Sequence, residues 1–161
     1  MNVTILILLL GITLIVAGLI YKARSDARKQ LLKIEKEVAD AASNNNLAWT
    51  HKEISKHRAI AWCADKATLF FVNLSGGKQQ KFLVDMNEAK KCSIVERALS
   101  SGSGKGEKYI SRVELEIVFP DKPAICLPMY NEIDDGVFER AGLTDKAIKW
   151  QALIQQKEVQ L

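Results

Sequence analysis

The stretch YISRVELEIVF, Tyr109–Phe119, decides the fold class. Ile110, Val113, Leu115, Ile117 and Phe119 are apolar, whereas Arg112, Glu114 and Glu116 are charged. From Val113 onward the two kinds alternate. Successive strand side chains point to opposite faces, so this is a strand with one buried face and one wet face. Similar short runs rich in β-branched and aromatic residues lie upstream at Ala59–Ala64, Thr68–Leu74, Lys81–Asp85 and Cys92–Glu96, and downstream at Ala124–Pro128. Turn formers separate them, including Asp65-Lys66, Ser75-Gly76-Gly77, Asn87, Ser100–Gly106 and Pro120-Asp121-Lys122-Pro123. Connections this tight imply antiparallel hairpins rather than crossover units.

A helix follows the last strand. Ala147, Trp150 and Ile154, with Leu153 alongside, form an apolar stripe at helical spacing. Thr144 is the expected N-cap, Asp145 sits at the positive end of the dipole, and Leu143 and Ile148 are spaced as a hydrophobic staple. The stripe is expected to lie across the open sheet with Trp150 as its largest member. Trp62 reads as core. Trp49, flanked by polar residues, reads as exposed and free to touch a lipid headgroup region.

Toward the N-terminus the composition changes. Val3–Tyr21 reads VTILILLLGITLIVAGLIY, nineteen residues without a charge. At about 1.5 Å per residue such a helix reaches roughly 28 Å, near the thickness of a bilayer's hydrocarbon core. The expectation is a transmembrane anchor over residues 1–21. A cleaved signal peptide fits less well, because only Met1 and Asn2 precede the apolar run and Val16-Ala17-Gly18 is a poor cleavage site. Thr4, Gly11 and Gly18 recur at sevens, which places small residues on one face and allows homo-oligomerisation through this helix.

Lys22–Lys36 holds six basic residues, Lys22, Arg24, Arg28, Lys29, Lys33 and Lys36, against Asp26 and Glu35. The rest of the chain carries 17 basic and 17 acidic residues, so the whole excess of +4 lies in this segment. Basic residues beside an apolar helix favour the cytoplasmic side and contact anionic lipid headgroups. The expected placement is the inner membrane, single-pass, N-terminus out, with the folded part cytoplasmic. Three widely spaced cysteines, Cys63, Cys92 and Cys126, suit buried, reduced thiols. A neutral body lacks the basic face that nucleic acid binding needs.

Lys22–Ser43 has good helix formers and no Gly or Pro, with Leu31, Ile34, Val38 and Ala41 on one stripe. Ser43-Asn44-Asn45-Asn46 ends it. Residues 22–46 are thus expected to be a basic helical stalk and hinge, and 47–161 the folded domain.

Recognisable catalytic chemistry is absent from the sequence. Ser100–Lys108 (SSGSGKGEK) fails the phosphate-loop pattern, because Leu99 stands where Gly is required and Gly106 follows Lys105. His51, His57 and Cys63 lack metal-ligand spacing. Asp134-Asp135 reads as a solvated loop. Neither a cofactor nor a metal is expected.

The order of AIAWCADKATLFFVNL, KFLVD, KCSIVE, VELEIVFPDKPAICLPMYN and AIKWQALI, spanning Ala59–Gln156, resembles the bacterial pleckstrin-homology-like domains found beside membrane helices or in phage and mobile-element proteins. It is carried by pattern and by positions such as Asp85, Leu115, Asn131 and Trp150. The resemblance implies a bent antiparallel sheet closed by the C-terminal helix, and a role in binding or signalling without catalytic residues. The fold class is therefore α+β, with an N-terminal transmembrane helix and stalk before a PH-like domain. The leading function is a non-enzymatic, membrane-tethered module that binds a protein or lipid at the cytoplasmic face. Alternatives are a phage or mobile-element exclusion or immunity protein, and an enzyme with an unrecognised site.

Overall fold

The computed structural model describes residues 3–75, 79–100 and 108–156; for 3–9, 99–100 and 108–109 only the backbone element is described. The SSGSGKGEK segment therefore lies, over 101–107, outside the described residues.

The fold is α+β with two antiparallel sheets. A long helix α1 (Val3–Asn45) precedes β1 (His51–Ile54), β2 (Arg58–Cys63), β3 (Thr68–Asn73) and β4 (Gln80–Asp85), which form one sheet in that order. The strands β5 (Lys91–Ser100), β6 (Lys108–Val118) and β7 (Ile125–Asn131) form the second. A one-turn helix α2 (Glu132–Asp135), a 3-10 turn (Val137–Glu139) and α3 (Arg140–Gln155) complete the chain.

The alternation in β6 does what the sequence requires of it. Val113, Leu115 and Ile117 are buried. Register shifts between Arg97 and Ala98, so Ser111 is the extra residue on β6 and bonds back to the Arg97 carbonyl at 3.1 Å. This bulge explains why Ile110 is out of phase with Val113. Glu114, on the outer face, is only 7% exposed and is bound by Arg97 at 2.6 Å.

In β2 and β3 every residue except Thr68 is buried, because the sheet is covered on both sides. Ile60, Trp62, Leu69 and Phe71 face a core shared with Val113, Leu115, Ile117, Leu127 and α3's Ala147, Trp150 and Ile154. Ala59, Ala61, Phe70 and Val72 face the other way and are covered by Ile34, Val38 and Ala41 of α1. The small Ala59 and Ala61 let the helix approach closely.

Several expectations are corrected here. Trp49 is not an exposed hinge residue: its ring stacks on Phe70, centroids 5.9 Å apart, and its Nε1 donates to the Val38 carbonyl at 3.0 Å. The stalk is thus fastened to the sheet, although the helix does stop at Asn45, with Asn46 in the left-handed region (φ 51°) that Asn tolerates. Helix α3 begins at Arg140, four residues before the expected cap; Thr144 lies inside it, no side chain caps its start, and Ile148 is exposed. The packing of Leu143 and Ala147 on the core outweighs the local cap signal.

The transmembrane expectation is also corrected. Among the described residues no helix is long and apolar enough to cross a membrane. After Tyr21 the helix continues without a break through Lys22, Arg24 and Asp26. The side chains of 3–9, where the expected span begins, lie outside the described residues.

Candidate interaction surface

Two surfaces stand out: the free half of α1 and the turn that joins β7 to α3. From Leu10 to Tyr21, Leu10, Ile12, Leu14, Ile15, Val16, Leu19, Ile20 and Tyr21 are 47% to 78% exposed. The predicted lipid-contact residues Lys22, Arg24, Arg28, Lys29, Lys33 and Lys36 are all exposed on the turns that follow, the first five before Ile34 docks and Lys36 on the outer side between Ile34 and Val38. One helix therefore carries an uncovered apolar arm, a basic collar and a buried foot.

The foot is also held by charge. Glu37 accepts from Lys81 Nζ at 2.9 Å and from Gln79 Nε2 at 3.0 Å. These bonds, Lys81 first, hold its carboxyl below the ordinary glutamate value. At the other end of the foot Lys66 Nζ donates to the Asn45 carbonyl at 3.1 Å. Gln80, Asn73 and Arg58 are in register at one end of the sheet, while Lys66 lies in the β2–β3 turn at the other. Running from Glu37 back toward its N-terminus, α1 thus leaves the body at the Arg58 end.

The turn after β7 is built around that same Arg58. The segment is NEIDDGVFER, Asn131–Arg140. Asn131 caps α2, its Oδ1 accepting from Ile133 N at 3.4 Å while its Nδ2 donates to Asp134 at 2.6 Å. Asp135 accepts from Asn131 N at 2.8 Å. Gly136 closes the turn at φ 78°, a conformation that favours glycine, with its N–H on the Glu132 carbonyl at 2.9 Å. Arg58, 5% exposed, then forks onto Asp135 at 2.8 and 2.6 Å and also donates to the Met129 carbonyl. Buried pairs of this kind fix geometry more than they add stability. What they fix is a knob: Phe138 is 98% exposed, Ile133 88% and Val137 58%, with Glu132, Asp134 and Glu139 around them.

Beside the knob a hollow of about 340 Å³ is lined by His57, Lys56, Asp134, Glu139 and Lys146 among others. Burial, then the Lys56 charge, pushes the His57 imidazole below its ordinary value. Lys146 is engaged by Glu53 at 2.5 Å, and Asp135 by Arg58. Arg58 Nε and Tyr130 Oη are buried with no partner among the described residues, and burial raises the Tyr130 phenol. Among the described residues no cluster of three or more His, Cys, Asp and Glu is placed to hold a metal.

Trp150 and Ile154 lie in the core as the stripe requires, Trp150 donating to Glu53 at 3.1 Å; Thr144 is half-buried within α3. Cys63 and Cys92 are buried thiols and Cys126 is half-buried. Sequence reasoning missed Arg58, left outside the predicted strand, and its partner Asp135, taken as a solvated carboxylate. The adjacent Val137-Phe138, amid charged residues, was the signal available for the knob.

No family model, curated protein or solved structure matches this chain.

Proposed function

We propose that the chain is a non-enzymatic binding module with a pleckstrin-homology-like body, held at the cytoplasmic face of a membrane by contact of α1 with lipid. The carrying observation is the division of α1 into an exposed apolar arm, an exposed basic collar and a foot packed on the sheet. Consecutive antiparallel strands closed by the C-terminal helix support the reading of the body.

The energies favour lipid over water for the arm. Burying one aliphatic side chain is worth about 1.5 to 3 kcal/mol, so the arm's aliphatic residues together favour an apolar phase by on the order of 10 kcal/mol. Contact with the apolar layer suffices; the helix need not cross it. Basic residues add about 1 kcal/mol each near an anionic surface, over a screening length of about 10 Å. Lys22 and Arg24 stand within that distance of Tyr21, Arg28 and Lys29 at its limit, and Lys33, roughly 18 Å away along the helix, beyond it. The collar therefore grades from lipid contact to mere solubility.

Flotation of the full chain on phosphatidylcholine vesicles, with and without phosphatidylserine, tests the proposal. The chain rises with both and more strongly with the anionic mixture at low salt. Full-length protein that stays in the aqueous fraction with both kinds of vesicle overturns it.

A further inference from the structure

The knob carries an inference of its own, independent of any lipid. We propose that Phe138, with Ile133 and Val137, docks into a hollow between β1 and α3 of a second copy of this chain, so that copies associate head to tail.

Phe138 and Ile133 are almost wholly exposed on a turn that a buried ion pair and a glycine hold in one shape. Three side chains exposed to this degree amount to roughly 400 Å² of apolar surface, in the range of the largest patches on monomers, which are often functional. Its rim carries more acid than base: Glu132, Asp134 and Glu139, which form no ion pair among the described residues, stand against the exposed cations Lys56 and Arg140. The complement lies elsewhere on the same molecule. A hollow of about 310 Å³ is floored by Trp150 and Leu153 and flanked by His51, Lys52 and Lys149. Lys52 and Lys149 likewise form no ion pair among the described residues, and the remaining wall residue, Glu53, is neutralised by Lys146. An apolar knob with three carboxylates outside any of these ion pairs thus has, on the same fold, an apolar hollow with two ammonium groups outside them.

The contact must join different copies. Phe138 precedes the first turn of α3 and Leu153 lies in its last, some 20 Å apart along the axis, so no chain reaches its own hollow. Because knob and hollow are different surfaces, the contact is heterologous: it forms chains of molecules or, if the rotation closes, a ring. The knob alone is about half the roughly 800 Å² that each partner buries in a standard interface, so association is weak in solution and gains from crowding on a surface. The acidic rim also argues against the knob itself entering an anionic lipid surface.

Sedimentation velocity of the full chain in a non-ionic detergent, over a concentration series, reads the association. The wild type forms species beyond the dimer that shrink as salt is raised. Phe138→Asp weakens association at least tenfold, while Phe138→Trp keeps it. The doubly substituted Lys52→Glu/Lys149→Glu is blocked at the hollow and does not self-associate; mixed with Phe138→Asp, whose hollow is intact, it pairs one to one through its own intact knob. The decisive mixture is Lys52→Glu/Lys149→Glu with its knob also blocked by Phe138→Asp, together with Glu132→Lys/Glu139→Lys: neither self-associates, the wild-type contact between them is removed, and they pair one to one through the swapped charges alone. Circular dichroism confirms that each variant is folded. A distribution unchanged by Phe138→Asp, or folded swapped variants that do not pair, overturns the proposal, and association that survives through the arms alone shows itself as the former.

Discussion

Replacing Trp49 with alanine tests whether α1 is fastened to the body or hinged on it. Trp49 stacks on Phe70 at 5.9 Å and donates to the Val38 carbonyl at 3.0 Å, so it bridges the end of α1 to the outer face of β3. A fully buried Trp→Ala costs about 3 to 5 kcal/mol. Trp49 is half-buried, which halves that figure, and the lost aromatic pair adds about 0.5 to 1.5 kcal/mol. The hydrogen bond contributes little more, since the Val38 carbonyl still accepts within the helix. The expected loss is about 2 to 4 kcal/mol, a large share of a domain's total of about 5 to 15. Urea melts of the full chain in detergent measure it, and proteolysis between Lys33 and Lys36 should accelerate as the foot lifts from Phe70 and Val72. A loss under about 0.5 kcal/mol with unchanged proteolysis refutes the fastening and returns α1 to a hinged stalk.

Trp150→Ala should cost about 3 to 5 kcal/mol in the same melts, because its ring is buried where α3 meets both sheets; a loss near zero means α3 does not close the core. Asp135→Asn leaves the Arg58 guanidinium buried beside a neutral partner and should cost about 3 to 5 kcal/mol, whereas the paired change Arg58→Met/Asp135→Leu should cost less. Acid should weaken the fold at two places. The Glu37 and His57 pKa values are both lowered in the folded state, so their contributions are full above the unfolded values and are lost as pH falls toward the folded ones. Urea midpoints should drop from about pH 7.5 to about pH 5 on account of His57, a step that His57→Gln removes, and drop again below the ordinary glutamate value of 4.5 as Glu37 is protonated. On anionic vesicles Lys22→Glu/Arg24→Glu should reduce flotation markedly and Lys33→Glu/Lys36→Glu hardly at all; equal losses contradict the graded collar.

The strands were legible because each carries its own pattern. Alternation placed β6, and short runs rich in β-branched and aromatic residues placed β2 and β3, whose cover on both faces shows only in the fold. By contrast, β1 was not found: His51-Lys52-Glu53-Ile54 is a short, polar edge whose pairing to β2 supplies the strand. The stripe Ile34, Val38 and Ala41 was visible, but not what covers it, since the covering residues Ala59, Ala61, Phe70 and Val72 follow only after the chain has turned back. Arg58 and Asp135 are 77 residues apart, and neither has a local signature. The start of α3 was misplaced because Thr144, followed by Asp145, reads as a cap until Leu143 is seen on the core. The apolar run at the N-terminus was plain, whereas its expected crossing of a membrane is not met by the described helix.

Lipid contact by the arm is tested most directly with a fluorophore on Val16→Cys in a Cys126→Ser background, where the remaining thiols, Cys63 and Cys92, are buried. A second label goes on Asn44→Cys, exposed at the foot of the same helix. On phosphatidylcholine–phosphatidylserine vesicles containing nitroxide-labelled lipid, an arm embedded in lipid predicts strong quenching at position 16 and none at position 44. Equal fluorescence at both positions, quenched or not, contradicts a helix divided between lipid and protein.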